Sequence, residues 1–98
     1  MSTERRRLVW QDIVWPLVLD LDKPYFTIDE YHSKRNKICD LYGIPHTRLS
    51  GGLNSLVNKG LLKREKEFYS LQYRIIPYMR KKVALGYGLA VKECYSKK

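Results

Sequence analysis

Apolar residues near the start of the chain recur at a helical spacing. They stand at Trp10, Ile13, Val14, Leu17, Val18 and Leu21. Intervals of three and four residues predict one buried face of a helix. Pro16 interrupts this pattern, because proline lacks an N–H and clashes with the carbonyl four residues back. We favour one helix over residues 4–20, bent at Pro16, over a helix that begins only near Asp12. In either case residues 20–24 form a loop.

A second helix is predicted from local signals at both of its ends. Thr27 and Glu30 have the spacing of a capping box, and Gly43 supplies a left-handed stop. The apolar residues expected to point mostly inward are Ile28, Tyr31, Ile38, Leu41 and Tyr42. Ile44-Pro45 then makes a turn into a third helix.

The third helix combines an apolar stripe with a polar opposite face. The stripe consists of Leu49, Leu53, Leu56 and Val57, and the helix stops at Asn58-Lys59-Gly60. Gly51 and Gly52 are unusual inside a helix. We weigh two explanations equally: either the backbone approaches DNA or helix two closely there, or the helix really begins near Ser50.

The pattern after Gly60 changes to that of a β-hairpin, followed by a last helix. Residues 61–64 and 68–75 read as two strands, with Tyr69, Leu71, Tyr73 and Ile75 on one face. The tip is short and charged. Pro77 to about Tyr95 is predicted as one helix with an apolar face, and the alternative is a break near Gly86.

These elements predict a mainly α chain with a small β-hairpin, an α+β fold in one domain over residues 1–98. No run of apolar residues approaches the length of a membrane span. We therefore expect a soluble, cytoplasmic protein.

Charge adds a functional hint, because it is large and uneven. The formal net charge is +9, and residues 61–98 have ten basic and three acidic side chains. Clustered positive charge is typical of a protein that binds a polyanion, although it is equally compatible with a solvated surface.

No motif indicates an enzyme, a metal site or a cofactor. The two cysteines, Cys39 and Cys94, are 55 positions apart with no CxxC pair, and no nucleophile stands with a base. Cys39 falls on a core stripe. Cys94 is expected to be a free thiol, with a disulfide between two copies as the alternative.

The capping box at Thr27, the segment from Leu49 to Leu62 and the following hairpin together resemble a winged helix-turn-helix. The resemblance covers essentially the whole chain and is to the small MarR- and PadR-like regulators of bacteria, archaea and archaeal viruses. It implies sequence-specific binding of double-stranded DNA and transcriptional regulation by a homodimer, associated with the nucleoid or with viral DNA.

By this resemblance, the third helix and the hairpin form the DNA-binding site. Arg48 would bond guanine and Asn54 adenine, while hydroxyls and basic side chains would contact phosphates. The predicted contact residues are His46, Thr47, Arg48, Ser50, Gly51, Asn54, Ser55, Lys59, Lys63, Arg64 and Lys66. Arg5 to Arg7 form either an arm on the DNA backbone or, slightly favoured, only a soluble helix start.

The first helix and a C-terminal helix over residues 77–98 would form the dimer interface. The residues assigned to it are Trp10, Val14, Met79, Val83, Tyr87, Val91 and Cys94. Two alternatives for function stay open: a winged helix that binds protein within a transcription or replication assembly, and a non-specific architectural DNA-binding protein.

Overall fold

The computed structural model describes residues 3–83 and 85–95. Over these ranges the chain is mainly helical, with one small antiparallel sheet, so the predicted α+β class is confirmed. Residues 84 and 96–98 of the predicted C-terminal helix lie outside the described residues.

The first helical element, α1, spans residues 3–21 and changes its winding in the turns before Pro16. Thr3–Leu8 and Trp15–Leu21 are α-helical, whereas Val9–Val14 between them is π-helical. The Trp15 N–H donates to the Trp10 carbonyl, five residues back. The wider turn leaves room for the proline ring, which would otherwise clash with the preceding turn. The favoured prediction of one helix is confirmed, and its irregularity is a π-helical segment that precedes Pro16.

The core is built around α1. Val9, Trp10, Ile13, Val14 and Val18 have no exposed surface. The helix ends at Asp22, which adopts the left-handed conformation that aspartate tolerates (φ 57°). It therefore acts as the central hydrophobic support for the elements that follow.

A three-stranded sheet is present where the sequence predicted only a hairpin. The strands β1 (Tyr25–Thr27), β2 (Leu62–Arg64) and β3 (Phe68–Leu71) are arranged in the order β1-β3-β2. β1 was not predicted. It pairs antiparallel with β3, and its Phe26 ring stacks on Tyr69 with centroids 5.9 Å apart.

The second helix, α2, spans Ile28–Tyr42 and is bounded as predicted. The Thr27 hydroxyl accepts from the Glu30 N–H, and the Glu30 carboxylate accepts from the Thr27 N–H. Gly43 ends the helix at φ 69°. The predicted inward face is only partly correct, because Leu41 and Tyr42 point into solvent and Ile28 is exposed. The spacing of Leu41 and Tyr42 matches that of Tyr31 and Ile38, but the helix projects beyond the core at its C-terminal end.

The predicted third helix is divided by a break. His46–Leu49 forms a single 3₁₀ turn, Gly51 adopts a left-handed conformation (φ 80°), and helix α3 spans Gly52–Asn58. A helix starting at His46 is therefore wrong, and the alternative start near Ser50 is close to the structure. A Cβ on Gly52 would lie 2.7 Å from Val9 Cγ2, so the close approach is to α1, not to helix two.

The predicted last helix is also two pieces. Helix α4 spans Ile76–Arg80, Lys82 has a φ of 57°, and helix α5 spans Tyr87–Tyr95. The predicted continuous helix from Pro77 is wrong, and the alternative of a break near Gly86 is confirmed. The second strand of the hairpin, β3, is also shorter than predicted: it ends at Leu71, and Tyr73 is exposed.

Side chains of α1 stabilise the break by bonding to the segment that follows it. The Trp10 indole N–H donates to the Leu85 carbonyl (2.9 Å), and the Tyr87 N–H donates to Gln11 Oε1 (3.0 Å). These bonds satisfy backbone groups that an unbroken helix would have satisfied internally.

Candidate functional site

Helix α3 presents one buried and one polar face. Gly52, Leu53 and Leu56 are buried, so the helix is fixed to the core through them. Asn54 and Asn58 point outward on the other side, with Ser55 and Lys59 half-buried beside them. Amide, hydroxyl and ammonium groups are thus grouped on a surface supported by tight packing.

The polar face of α3 forms one wall of an open groove, which we call the α1–α3 groove. Its volume is about 710 Å³, and its other wall is the start of α1. The residues that line it are Arg5, Arg6, Ser50, Gly51, Asn54, Ser55, Asn58 and Lys59. None of these described lining residues is acidic, so the groove favours an anion.

Arg6 connects three elements at the edge of this groove. Its Nε donates to the Tyr87 hydroxyl (2.9 Å), and a second guanidinium nitrogen lies 3.4 Å from Ser55 Oγ. Arg6 therefore ties α1 to both α3 and α5. The sequence interpretation of Arg5 to Arg7 as only a soluble helix start missed this role for Arg6.

A second groove, the α2–α3 groove, shares Ser50, Gly51 and Asn54 with the first and extends from them toward α2. It has a volume of about 370 Å³ and reaches Tyr69 of the hairpin. Five predicted contact residues line it: His46, Thr47, Ser50, Gly51 and Asn54. α2 contributes Ile28, Tyr31, His32 and Arg35.

Two polar groups of the α2–α3 groove already have partners. His46 Nε2 lies 3.6 Å from Asp40 Oδ1, and the Arg35 guanidinium donates to the neighbouring Asn36 side chain at 3.1 and 3.3 Å. Tyr31 differs, because its hydroxyl is buried with no hydrogen-bond partner among the described residues. Burial raises the pKa of Tyr31 to about 12, against a smaller lowering by the Arg35 charge.

Arg48 is separated from the polar face of α3. It lies on the 3₁₀ turn and lines a separate pocket of about 400 Å³ together with Glu4, Arg5, Leu8, Ile44 and Leu49. The break at Gly51 places it off the face that presents Asn54. Arg48 and Asn54 thus do not belong to one continuous helix, contrary to the sequence prediction.

The three predicted hairpin residues are exposed but differ in their surroundings. Lys63 Nζ lies 3.6 Å from Glu65 Oε2, and the Arg64 guanidinium carbon lies 6.0 Å from the centre of the Tyr69 ring. Because Tyr69 also lines the α2–α3 groove, Arg64 joins the hairpin to that groove. Lys66 lies at the exposed tip.

Most of the predicted dimer interface is inside the single chain. Trp10, Val14, Met79 and Tyr87 are buried in the core and offer no surface to a second copy, so their assignment is corrected. Their spacing indicated burial, but it could not distinguish an intramolecular from an intermolecular partner. Of the other three, Val83 is exposed, whereas Val91 and Cys94 are half-buried.

The cysteines and acids show no arrangement for metal binding. Among the described residues there is no group of three or more His, Cys, Asp or Glu side chains that could hold an ion. Cys39 is in the core as predicted, and burial raises the pKa of both the Cys39 and Cys94 thiols. No helix in the described ranges has the length and apolar character needed to span a membrane.

Comparison with known proteins adds no identification. The chain matches no family model, no curated protein and no solved structure.

Proposed function

We propose that the chain is a winged helix-turn-helix protein that binds double-stranded DNA, with the polar face of α3 in the major groove. The supporting observation is the α1–α3 groove, where the polar face of α3 adjoins Arg5, Arg6 and Lys59 with no acidic lining residue. The order of α1, α2 and α3, followed by a hairpin, also supports this proposal.

The dimensions of α3 fit this role. Seven residues make a helix about 10 Å long, and the major groove is about 12 Å wide. Such a helix reaches about three base pairs, at 3.4 Å each. Asn54 is the residue in this proposal that reads a base edge, because a carboxamide can bond adenine bidentately.

Basic side chains around α3 supply the phosphate contacts. Lys59 lies at one end of the helix, Arg48 lies on the preceding turn, and Lys63 and Lys66 lie on the hairpin. We assign Arg48 to a phosphate of the DNA backbone and not to guanine, because it lies away from the face of α3 that presents Asn54. Contacts of this kind position the protein and make its affinity depend on salt.

We propose a homodimer that keeps Val83 from the interface expected from sequence and adds Leu89. Val83 and Leu89 are two large apolar side chains exposed near the C-terminal end, at 47 % and 49 %. Two copies joined there would present two α3 helices to a two-fold symmetric site. Light scattering of wild type and of a Val83→Ser, Leu89→Ser variant tests this contact, and an unchanged mass would contradict it.

The test of the function is selection from a random duplex pool with purified protein at two salt concentrations. We expect enrichment of a two-fold symmetric motif. Binding with a steep salt dependence but no motif would favour a non-specific architectural role. If no duplex is bound at moderate salt, the proposal is overturned in favour of a protein-binding winged helix.

A further inference from the structure

The three-stranded sheet has an outer face of which the proposed function uses only Lys63. In each strand alternate side chains point to opposite faces. Phe26, Tyr69 and Leu71 face the core, so Tyr25 and Phe68 face outward. We call Tyr25, Phe68, Lys23 and Lys63 the outer aromatic patch.

The two rings of this patch are adjacent and accessible. Their centroids are 5.5 Å apart with the planes inclined by 51°. Tyr25 is 43 % exposed and Phe68 is 38 % exposed. Two neighbouring exposed aromatic side chains on a small protein indicate a contact surface, because single exposed apolar residues are common but clusters are not.

Lysines border the rings. Lys23 Nζ lies 4.9 Å from the centre of the Tyr25 ring. Lys63, Ser70 and Tyr25 form one row across the three strands, which places Lys63 roughly 10 Å from Tyr25. Glu65 lies beside Lys63, but an exposed ion pair of this kind is weak and can exchange for a phosphate.

We propose that the outer aromatic patch binds unpaired DNA, with bases stacked on Tyr25 and Phe68 and phosphates on Lys23 and Lys63. Aromatic rings beside basic side chains are the chemistry that recognises single strands, since every base has a face to stack and every nucleotide a negative charge. A base that stacks on Tyr25 displaces the Lys23 ammonium from the ring toward the adjoining phosphate.

An apolar protein partner fits the patch less well. The basic border and the net charge of +9 match a polyanion, whereas two rings alone are a small apolar area for a protein contact. We choose DNA over RNA because the same hairpin carries Lys63 and Lys66 toward the proposed duplex site. In that choice, and only there, the inference rests on the proposed function.

The test is fluorescence anisotropy of the full chain with a labelled oligothymidine of about ten nucleotides, a length that one small domain can cover. Tyr25→Leu and Phe68→Leu should each weaken this binding roughly fivefold or more, the effect of losing one stacked base. Tyr25→Phe keeps the ring and should retain the affinity. Tyr73→Leu removes an exposed tyrosine outside the sheet and should have no effect.

Three controls make the outcome decisive. Thermal unfolding of each variant checks the fold, and Tyr25→Leu, at the more exposed position, is the primary test if Phe68→Leu is destabilised. Unchanged oligothymidine binding by Tyr25→Leu overturns the inference. Tighter binding of oligouridine than of oligothymidine also overturns it. A lower mass of Tyr25→Leu than of wild type in light scattering overturns it too, because a second copy would then occupy the patch.

A duplex titration separates this inference from the proposed function. Tyr25→Leu should leave duplex affinity within about twofold, because Tyr25 lines neither the α1–α3 groove nor the α2–α3 groove. A wild type that binds oligothymidine through Tyr25 but binds no duplex would refute the proposed function and support the patch.

Discussion

Helix α3 and the β2–β3 hairpin contain most of the proposed duplex contacts, but the fold fixes them differently. α3 has two buried leucines, and its first residue, Gly52, lies against Val9 without space for a methyl group. The hairpin is fixed by its strand pairing and by Leu62, Tyr69 and Leu71, while Lys63, Arg64 and Lys66 extend into solvent.

The position of the proposed duplex site therefore depends on α3, whereas part of its positive charge comes from the hairpin. The orientation of α3 depends on α1, so substitutions beneath it should change both stability and DNA binding. The basic side chains on the hairpin are exposed, so their loss should change DNA binding more than stability. Four predictions test this separation.

The largest effect is expected from Gly52→Ala. The new methyl group would lie 2.7 Å from Val9 Cγ2, so one helix must shift, and we expect a loss of about 2–3 kcal/mol in the free energy of unfolding. Gly88→Ala on α5 is the matched control, because its added methyl group would meet no atom within 4 Å beyond its chain neighbours and the backbone of its own helix. Urea unfolding measures both, and equal stability of the two variants would refute the tight contact. Val9→Ala should restore part of the loss.

Arg6→Met should have the next largest effect. It removes the hydrogen bonds to Tyr87 and Ser55 and should cost about 1.5–2 kcal/mol, since charge-assisted bonds exceed neutral ones. Arg7→Met is the control, because Arg7 is exposed. Thermal unfolding compares the two, and the connection of α1 to α5 would be disproved by indistinguishable melting curves.

Tyr31 of α2 lines the α2–α3 groove, and the effect of replacing it should depend on pH. Its pKa is raised from 10 in the unfolded chain to about 12, so the neutral form is favoured in the fold. This contribution is complete below pH 10 and is lost between pH 10 and 12, with about 1.4 kcal/mol lost by pH 11.

Tyr31→Phe isolates this contribution. Unfolding of the variant should lack this part of the alkaline loss, and at neutral pH its stability should be equal or higher, because the hydroxyl removed has no partner among the described residues. Urea unfolding at pH 7 and pH 11 provides the comparison. A variant that loses as much stability as wild type over this range would show that Tyr31 is not the group that ionises.

Lys66→Gln should have the smallest effect on stability. We expect a change within about 0.5 kcal/mol, because Lys66 is exposed at the hairpin tip. The slope of log affinity for duplex DNA against log salt should nevertheless fall by about 0.9, as one phosphate contact is lost. A stability loss comparable to that of Gly52→Ala would erase the distinction between the hairpin and α3.

Local signals predicted much of the fold. The capping box at Thr27 and Glu30 and the stop at Gly43 each involve residues a few positions apart, so the sequence contains all of the interaction. The break in the C-terminal region was recognised only as an alternative. Its cause is the bonding of Trp10 and Gln11 to residues 85 and 87, which helical periodicity does not reveal.

The sequence did not predict contacts between residues that are far apart along the chain. β1 has three residues, too few to show alternation, and its partner β3 lies far along the chain. Arg6 reaches Ser55, 49 positions away, and Tyr87, 81 positions away. The predicted dimer stripe failed for a related reason, because Trp10 and Val14 pack inside their own chain.

The most direct test of the central claim is the salt dependence of duplex binding for Lys59→Gln and Lys92→Gln. Lys59 lies in the α1–α3 groove, and Lys92 is exposed on α5, outside that groove. If the polar face of α3 contacts duplex DNA, Lys59→Gln lowers the slope by about 0.9 and weakens binding, while Lys92→Gln leaves both as in wild type. Equal effects of the two substitutions would contradict the account.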